Sequence, residues 1–539
     1  MYAAAEHGRL MSDWFAQSTS HDAELRASLR TLRNRSRQLV RDNDYAKNAM
    51  RVIKNNVIGQ GVRFQAQVKK KRGGLDKANN ELIESYWDEW CEKLNCDVSG
   101  KNSLAEMQRI LMGAVAESGE VLVRKVRGQK FGDSPVAFAL EIIEADQLVE
   151  EWSGRTEGGN EVRMGVEVNQ WQRPVAYWLY PRHPGDYQFI PGQVQTNRLI
   201  RVPADEIYHL FVSERPGATR GVPWLHTAAR RLNNMGGYEE AEIIAARADA
   251  SPVGTIESPE AGDPTEDATG VSGAEGVRQS MRQFDMSAGT LMELADGEKY
   301  MPWHPTRPNT AMDGFMRLML RGVAAGIGVS YESLSRDYSQ SNYSSSRLAL
   351  LDDRDLWRCL QDWFVEHFLQ DVYREWLEMA VLGGVLKFPD YETNLKRYRA
   401  VRWMPRGWEW IDPLKEVTAA RLGIRSGLQT QQGVLSAKGD DVEDLMNQRR
   451  RELDLAAELK MVFDTDVQQV TDKGQAQPLP VVQETDTGTP VDTGNADAER
   501  TPDVAQAEDA LAKAILNLER ASARALRHPR KPNGHATRQ

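Results

Sequence analysis

Cysteine is scarce in this 539-residue chain: Cys91, Cys96 and Cys359 are too few and too scattered for a disulfide framework or a Cys-x-x-Cys zinc site. That excludes a small stapled fold and fits a reducing, cytoplasmic setting. Long apolar runs are missing too. No stretch reaches the roughly 18 apolar residues of a membrane span, and the start, MYAAAEHGRLMSDWF, lacks the basic-then-apolar order of a secretory signal. The expectation is a soluble chain with no membrane partner. Positive charge is in deficit, with 68 Lys and Arg against 78 Asp and Glu and a formal net charge of -10. Tight chain-wide DNA binding needs Lys and Arg to displace counterions and is disfavoured. A surface that DNA passes without sticking suits an acidic balance.

The usual catalytic signatures are absent as well. There is no Gly-x-x-x-x-Gly-Lys-Ser/Thr phosphate loop, no Gly-x-Gly-x-x-Gly, no His-Glu-x-x-His and no Gly-x-Ser-x-Gly. The nine histidines are dispersed, without metal-ligand spacing. Adjacent carboxylates occur at Asp352/Asp353 and Asp440/Asp441. Neighbours on a helix point in different directions, so a solvated surface or ion pairs with Arg354 and nearby arginines is expected there. No catalytic residue, metal ligand or cofactor is therefore assigned.

What is present suggests about three substructures, partly interleaved in sequence. Residues 20–56 read as helix, because Leu25, Leu29, Leu32, Leu39, Tyr45, Ala49, Val52 and Ile53 recur at steps of three and four among many arginines. Those arginines fit a solvated face, or contact with phosphate or an acidic partner. From 55 to 68 the pattern alternates, with Gly59 and Gly61 as breakers, and predicts a strand. Helices follow around Tyr86, Trp87, Trp90 and Cys91, and over 104–117. Between 120 and 210 the runs VLVRKV, FALEIIE, VRMGVEVN, PVAYWLY and DEIYHLF read as short strands of one α+β substructure. His209 lies inside the last run, as a satisfied core or edge histidine.

Pro223 opens a helix running to about 250. SPVGTIES and SAGTLMELADGEKYMPW, with a Gly/Asp/Thr/Ser-rich stretch at 258–276 between them, predict a small projecting β module. A helix over 311–327 follows, so two helices form a stalk. Then comes GVSYESLSRDYSQSNYSSSR (328–347), a polar loop directly before an aromatic helix over 344–380. With no Cys or His, and only Glu332 and Asp337 as carboxylates, this loop reads as a lining rather than a catalyst. The helix would span ~50 Å. Its Leu348, Leu356, Leu360, Phe364, Phe368, Val372 and Trp376 recur in multiples of four, a line that winds around the helix to meet several neighbours.

Trp403, Trp408 and Trp410 beside Arg402 and Arg406 fit a strand packed on the α+β substructure, or alternatively a stacking platform for nucleic acid. Short helices over 413–463 are broken at Gly423, Gly427, Gly433 and Gly439. Beyond 465 the composition predicts disorder, with one candidate helix at 505–526.

Five segments, in order, carry a resemblance: RDNDYAKNAMRVIKNNVIGQGV near the start, RGVPWL at 220–225, YEEAEIIAARADA at 238–250, SYESLSRDYSQSNYSSSRLALL at 330–351 and WEWIDPLKEVTAARLGIRSGLQT at 408–430. Over most of residues 30–460 the chain resembles the lambda-type portal proteins of tailed bacteriophages. The resemblance implies an α+β, multi-region portal fold that assembles head to tail as a ring of about twelve copies at one capsid vertex. DNA would be pumped in, and later ejected, through that ring. It further implies an N-terminal helical segment (1–50), a wing (51–221 with 381–412), stem helices (222–250 and 308–330) and a clip (251–307). A tunnel loop (331–345), a long helix (346–380), a crown (413–465) and a tail (466–539) complete the set. The DNA-facing residues would be Arg336, Asp337, Tyr338, Ser339, Gln340, Ser341, Asn342 and Tyr343. Implied partners are further copies of the chain, double-stranded DNA held weakly in the channel, a terminase motor, the major capsid protein, scaffold and a head-tail adaptor. The implied location is the virion, after assembly in the host cytoplasm. The competing reading is a metal-dependent phage nuclease using carboxylates of the 336–355 region, and a third is a scaffold without a channel.

Overall fold

The helical spacing of residues 20–56 is interrupted by short polar side chains. In the computed structural model, α1 (His21–Arg26) starts at Ser20, whose hydroxyl accepts from the Ala23 amide. Asn43 ends α2 (Leu29–Asp42) and caps α3 (Asp44–Val57) by accepting from the Ala46 amide. The single expected helix is therefore three: at the first junction the Ser28 hydroxyl donates to the Glu24 carbonyl at 3.0 Å, and at the second the Asn43 side chain caps the new helix. The structure describes residues 18–71, 73–189, 199–250, 254–257, 299–302, 311–408, 412–438, 441–459, 461 and 463. The chain divides into two units, Met1–Arg451 and Glu452–Gln539. The expected tail and its candidate helix, Trp410, Gly439 and Asp440 lie outside the described residues.

After β1 (Arg63–Ala66) come α4 (Lys77–Cys91) and α5 (Leu104–Ser118), the latter opened by a capping box between Ser103 and Glu106. Gly119 ends α5 at φ +89°. A Cβ there would lie 2.5 Å from the Val222 carbonyl carbon, so this approach of two backbones requires glycine. β2 (Glu120–Arg127) and β3 (Phe138–Ile143) pair antiparallel.

β4 (Gly154–Arg155), β5 (Glu161–Arg163), β6 (Val166–Val168), β7 (Pro174–Leu179) and β8 (Ile200–Pro203) form an antiparallel meander. The run VRMGVEVN, expected as one strand, folds as β5 and β6. Met164 (φ +45°) and Gly165 (φ +84°) turn the chain between them, a two-residue hairpin with both central residues at positive φ. β9 (Ile207–Phe211) returns to pair with β2, giving a three-stranded sheet of order β3-β2-β9.

α6 (Ala229–Ala250) leads to the antiparallel pair β10 (Gly254–Glu257) and β11 (Lys299–Pro302), and α7 (Met312–Ile327) returns. These two strands fall where the projecting module was expected; the rest of it lies outside the described residues. α6 and α7 run antiparallel, since the Thr227 hydroxyl donates to the Gly326 carbonyl and the rings of Tyr238 and Phe315 lie 5.1 Å apart. A Cβ at Gly326 would lie 2.7 Å from the Thr227 hydroxyl, so glycine there admits the turn that leads into α6. Among the described residues, the buried side chains fall at one end of each helix: Leu232 and Met235 early in α6, and Leu320, Val323, Ala324 and Ile327 late in α7.

α8 (Tyr331–Ser335) is short. α9 (Tyr343–Phe364) passes through one π turn, Val365–Leu369, into α10 (Gln370–Leu382). α11 (Leu395–Tyr398) precedes β12 (Val401–Met404), which pairs antiparallel with β1. The Trp/Arg segment thus supplies a strand: Trp403 packs on the core and its indole donates to Gln370 at 3.0 Å. α12 (Pro413–Arg425), α13 (Gln431–Ser436) and α14 (Val442–Glu458) follow. Gly423 and Gly433 sit inside helices rather than breaking them, while Gly427 at φ +72° supplies a break.

Strand β2 serves two cores through the alternation of its side chains. Val121 and Val123 enter the large core with Trp87, Trp90, Phe364, Phe368 and Trp376, whereas Leu122 enters a smaller one with Val166, Tyr177 and Leu179. The large core is aromatic: Trp87 meets Trp90 and Trp376 with ring centres 5.1 Å apart in both cases. At its edge Glu120, fully buried, binds Arg33 (2.8 Å), Arg220 (2.6 Å) and His209 (2.9 Å). Burial pushes this carboxyl up, but Arg220 and His209 outweigh it and hold Glu120 well below the usual carboxylate range. His209 is the satisfied core histidine the sequence pattern indicated.

Candidate functional site

The polar stretch expected as a loop over 331–345 is shorter, because its ends are helical. Ser330 caps α8 by accepting from the Ser333 amide, and Asn342 caps α9 by accepting from the Ser345 amide at 2.9 Å. The open turn spans residues 336–342. Arg336 closes α8 in the left-handed region, at φ +60°.

Asp337 organises the turn. It accepts from the Ser339 amide (3.0 Å) and the Tyr331 hydroxyl (2.8 Å), and Arg317 of α7 stands 3.6 Å away. Hydrogen bonds from Ser339 and Tyr331, then the Arg317 charge, push its carboxyl down to about 2. Ser341 turns inward, donating its hydroxyl to the Tyr338 carbonyl at 2.9 Å.

Two residues outside the loop anchor it. Asp353 on α9 is buried and accepts from the Ser330 amide (2.8 Å), the Ser330 hydroxyl (2.7 Å) and the Ser333 hydroxyl (3.1 Å). Burial nevertheless raises its pKa. Asn48 on α3 donates to the Ser333 and Leu334 carbonyls at 2.9 and 2.7 Å. The expectation of a solvated Asp352/Asp353 surface therefore fails for Asp353 and holds for exposed Asp352. Sequence gave a usable signal for the anchor in Ser330-x-x-Ser333, a capping pattern that needs an acceptor nearby. Asn48, distant in sequence, gave none.

Of the eight residues singled out, Arg336, Tyr338, Ser339, Gln340 and Asn342 are exposed, and Asp337 and Ser341 are half-buried. Tyr343 is the first residue of α9. Arg336, Tyr338 and Gln340 make no side-chain hydrogen bond among the described residues, so a passing surface can meet them. The turn offers hydroxyl, amide and one guanidinium on a backbone already fixed, which suits weak polar contact.

The carboxylates of the loop region do not form a metal centre, since Asp353 faces inward to serines while Asp352 faces solvent. Elsewhere Glu144, Asp146 and His183 bring ligand atoms within 4.8 Å of one another, which sequence spacing did not reveal. Asp146 is already ion-paired with Arg37 and lies 3.4 Å from Arg33. These cations take the place a metal would need, and the trio reads as part of the Glu120 ion-pair network. A cavity of about 790 Å³ opens beside α1, with Arg26, Arg155 and Arg163 in its wall; it is not continuous with the loop residues named above.

Comparison with known proteins bears on these observations. The family model for "Phage portal protein, lambda family" matches residues 7–361. A probable portal protein of Halomonas phage phiHAP-1 is 33% identical over 453 residues, covering 83% of this chain and 85% of the relative. Portal protein B of Escherichia phage lambda is 25% identical over 480 residues, covering 83% and 87%. Among solved structures, the neck of a native GTA particle computed with C12 symmetry aligns at 15% identity with a TM-score of 0.38, over 74% of this chain and 91% of that one. Since the family model spans well over half of the sequence and the Halomonas phage relative is one-third identical across most of both chains, the protein belongs to the lambda family of phage portal proteins.

Proposed function

We propose that this chain performs the portal role of its family as a closed head-to-tail ring of about twelve copies at one capsid vertex. DNA enters the shell through the ring during packaging and leaves through it at ejection. The observation that carries this reading, given the family, is the turn at 336–342. It is an exposed polar surface held by Asp337, Asp353 and Asn48, in which the Arg336 guanidinium and the Asp337 carboxylate are the only charges among hydroxyls and amides.

Each fixed positive charge in a channel adds a barrier to a sliding polyanion, whereas hydroxyls and amides exchange easily with water. Arg336, Tyr338, Ser339 and Gln340 would touch the duplex, and Asp337, held ionised, would limit phosphate residence. In this reading residues 51–221 with 381–412 form the wing, α6 and α7 the stem and 251–307 the clip. Residues 413–465 form the crown. The motor ATPase, a separate chain, docks at the clip end, and capsid, scaffold and adaptor proteins meet the ring's outer surfaces.

Negative-stain images and size measurement of the purified chain test the reading. The expected result is perforated rings about an order of magnitude heavier than the 60.7 kDa chain. Monomers or dimers alone, or magnesium-dependent cleavage of DNA, would refute it. Substituting Ser339, Gln340 and Ser341 by alanine in assembled particles should alter packaging or DNA retention; unchanged particles would remove the loop from the mechanism.

A further inference from the structure

Helix α9 carries two stripes of opposite charge, the acidic one exposed and the basic one half-buried at Arg347 and Arg354. Positions 348, 352, 355, 359, 362 and 366 recur at steps of three and four and share one face of α9 and the start of the π turn. They hold Leu348, Asp352, Asp355, Cys359, Asp362 and Glu366, all exposed. Asp355 pairs with Arg358 at 2.8 Å. Asp352, Asp362 and Glu366 have no ion-pair partner among the described residues.

The adjoining stripe holds Arg347, Leu351, Arg354 and Arg358. The guanidinium carbons of Arg354 and Arg358 each lie 5.6 Å from the Trp408 ring centre. Burial, and beyond it the like charges of Arg358 and Arg406, push the Arg354 guanidinium below its ordinary value, with Glu416 opposing. The two arginines thus flank a half-buried indole, with Arg358 also paired to Asp355. Large apolar side chains stand exposed on α9 and on neighbouring α12, whose Glu416 reaches Arg347: Leu351 at 41%, Leu414 at 79% and Val417 at 47%. Arginine and tryptophan are enriched among the residues that carry interface binding energy, and the exposed leucines and valine add apolar area beside them.

A nucleic acid would be drawn to the arginines, but Asp352, Asp362 and Glu366 on the same helix would repel it and the leucines offer it nothing. A second copy of this acidic chain answers all three features. We infer that α9 joins neighbouring copies, the Asp352, Asp362 and Glu366 stripe of one docking on the Arg354, Arg358 and Trp408 cluster of the next. The inference rests on the ring reading above and names the contact that closes it.

Two charge reversals test it. In the first variant, Asp352→Lys, Asp362→Lys and Glu366→Lys make both faces positive; in the second, Arg354→Glu and Arg358→Glu make both negative. Each alone should yield about tenfold fewer rings than wild type at equal concentration. Mixed one to one they should assemble again, because every junction of an alternating ring then joins opposite charges, and native mass spectrometry should find both variants in equal number. Either variant assembling like wild type overturns the inference, and so does a mixture that stays unassembled. Should a variant unfold alone, rings recovered in the mixture still support the contact. Normal rings from the second variant with lost DNA retention would assign the arginines to nucleic acid and overturn it. A wild-type chain that never forms rings would bring down the ring reading, and this contact with it.

Discussion

Glu120, Arg33, Arg220 and His209 form the most deeply buried ionic group among the described residues, and single substitutions there should be costly. Removing one partner strands a charge that water cannot reach, so Arg220→Ala should destabilise the chain by about 3–5 kcal/mol, measured by urea unfolding at pH 7. The pH dependence has a definite sign. Because the folded state holds the Glu120 pKa below its ordinary 4.5, the stabilisation is fully present above that value. It is lost progressively as pH falls from there toward the lowered folded value. Wild type should therefore lose more stability than Glu120→Gln between pH 5 and pH 3; equal losses would remove Glu120 from the acid response. Asp353 is a second test at this scale. Asp353→Ala leaves the Ser330 amide and two hydroxyls without their acceptor, at a cost of about 1–3 kcal/mol. Amide hydrogen exchange should accelerate across 330–342, whereas Asp352→Ala next to it should leave exchange unchanged.

At the scale of elements, the π turn overturns the expectation that the apolar line winds around the helix to meet several neighbours, at least from Phe364 to Trp376. Phe364, Phe368, Val372 and Trp376 stand four apart, and in an uninterrupted α-helix each step of four overshoots a full turn by about 40°. Trp376 would then point roughly 120° away from Phe364. All four are nonetheless buried in one core, because the wide turn at Val365–Leu369 absorbs one residue and returns the line to the same face. Deleting exposed Glu366 should convert this turn to regular α-helix with the downstream face preserved, leaving the melting temperature within a few degrees. A large drop would mean that the π turn has a purpose of its own.

Apolar periodicity made the helices legible, and alternation revealed β2, β3, β7 and β9. Periodicity does not register a cap within an apolar series, so Asn43 escaped it. Met164-Gly165 escaped alternation, since a two-residue hairpin removes no apolar residue from the run. The loop was legible by composition, but its anchors were not, because Asp353 and Asn48 reach it only through tertiary packing.

At the scale of the whole molecule, the chain closes on itself late. β1 lies near the start and pairs with β12, with Phe64 opposite Trp403 and Ala66 opposite Val401. Residues between them build the three- and five-stranded sheets, the β10–β11 pair, the α6–α7 pair and the long helix, so the large core has an open side until β12 arrives. Met404 is buried, Phe64 packs 5.5 Å from the Trp403 ring centre, and the Gln67 amide donates to the Ala400 carbonyl. A chain ending at 398 should therefore expose β1 as an unpaired edge beside an aromatic core, and should aggregate or melt without a cooperative transition. A chain ending at 408 retains β12 and the Trp408 indole, which donates to Asn56 at 3.2 Å. It should be monodisperse and melt cooperatively. The two differ by ten residues and both lack α12 to α14, so the comparison isolates the strand from everything beyond it. If both fold alike, β12 decorates a core that is already complete. If only the longer one folds, the interleaving of the 381–412 segment with residues 51–221 is what makes them one body, and folding during synthesis must wait for the last strand.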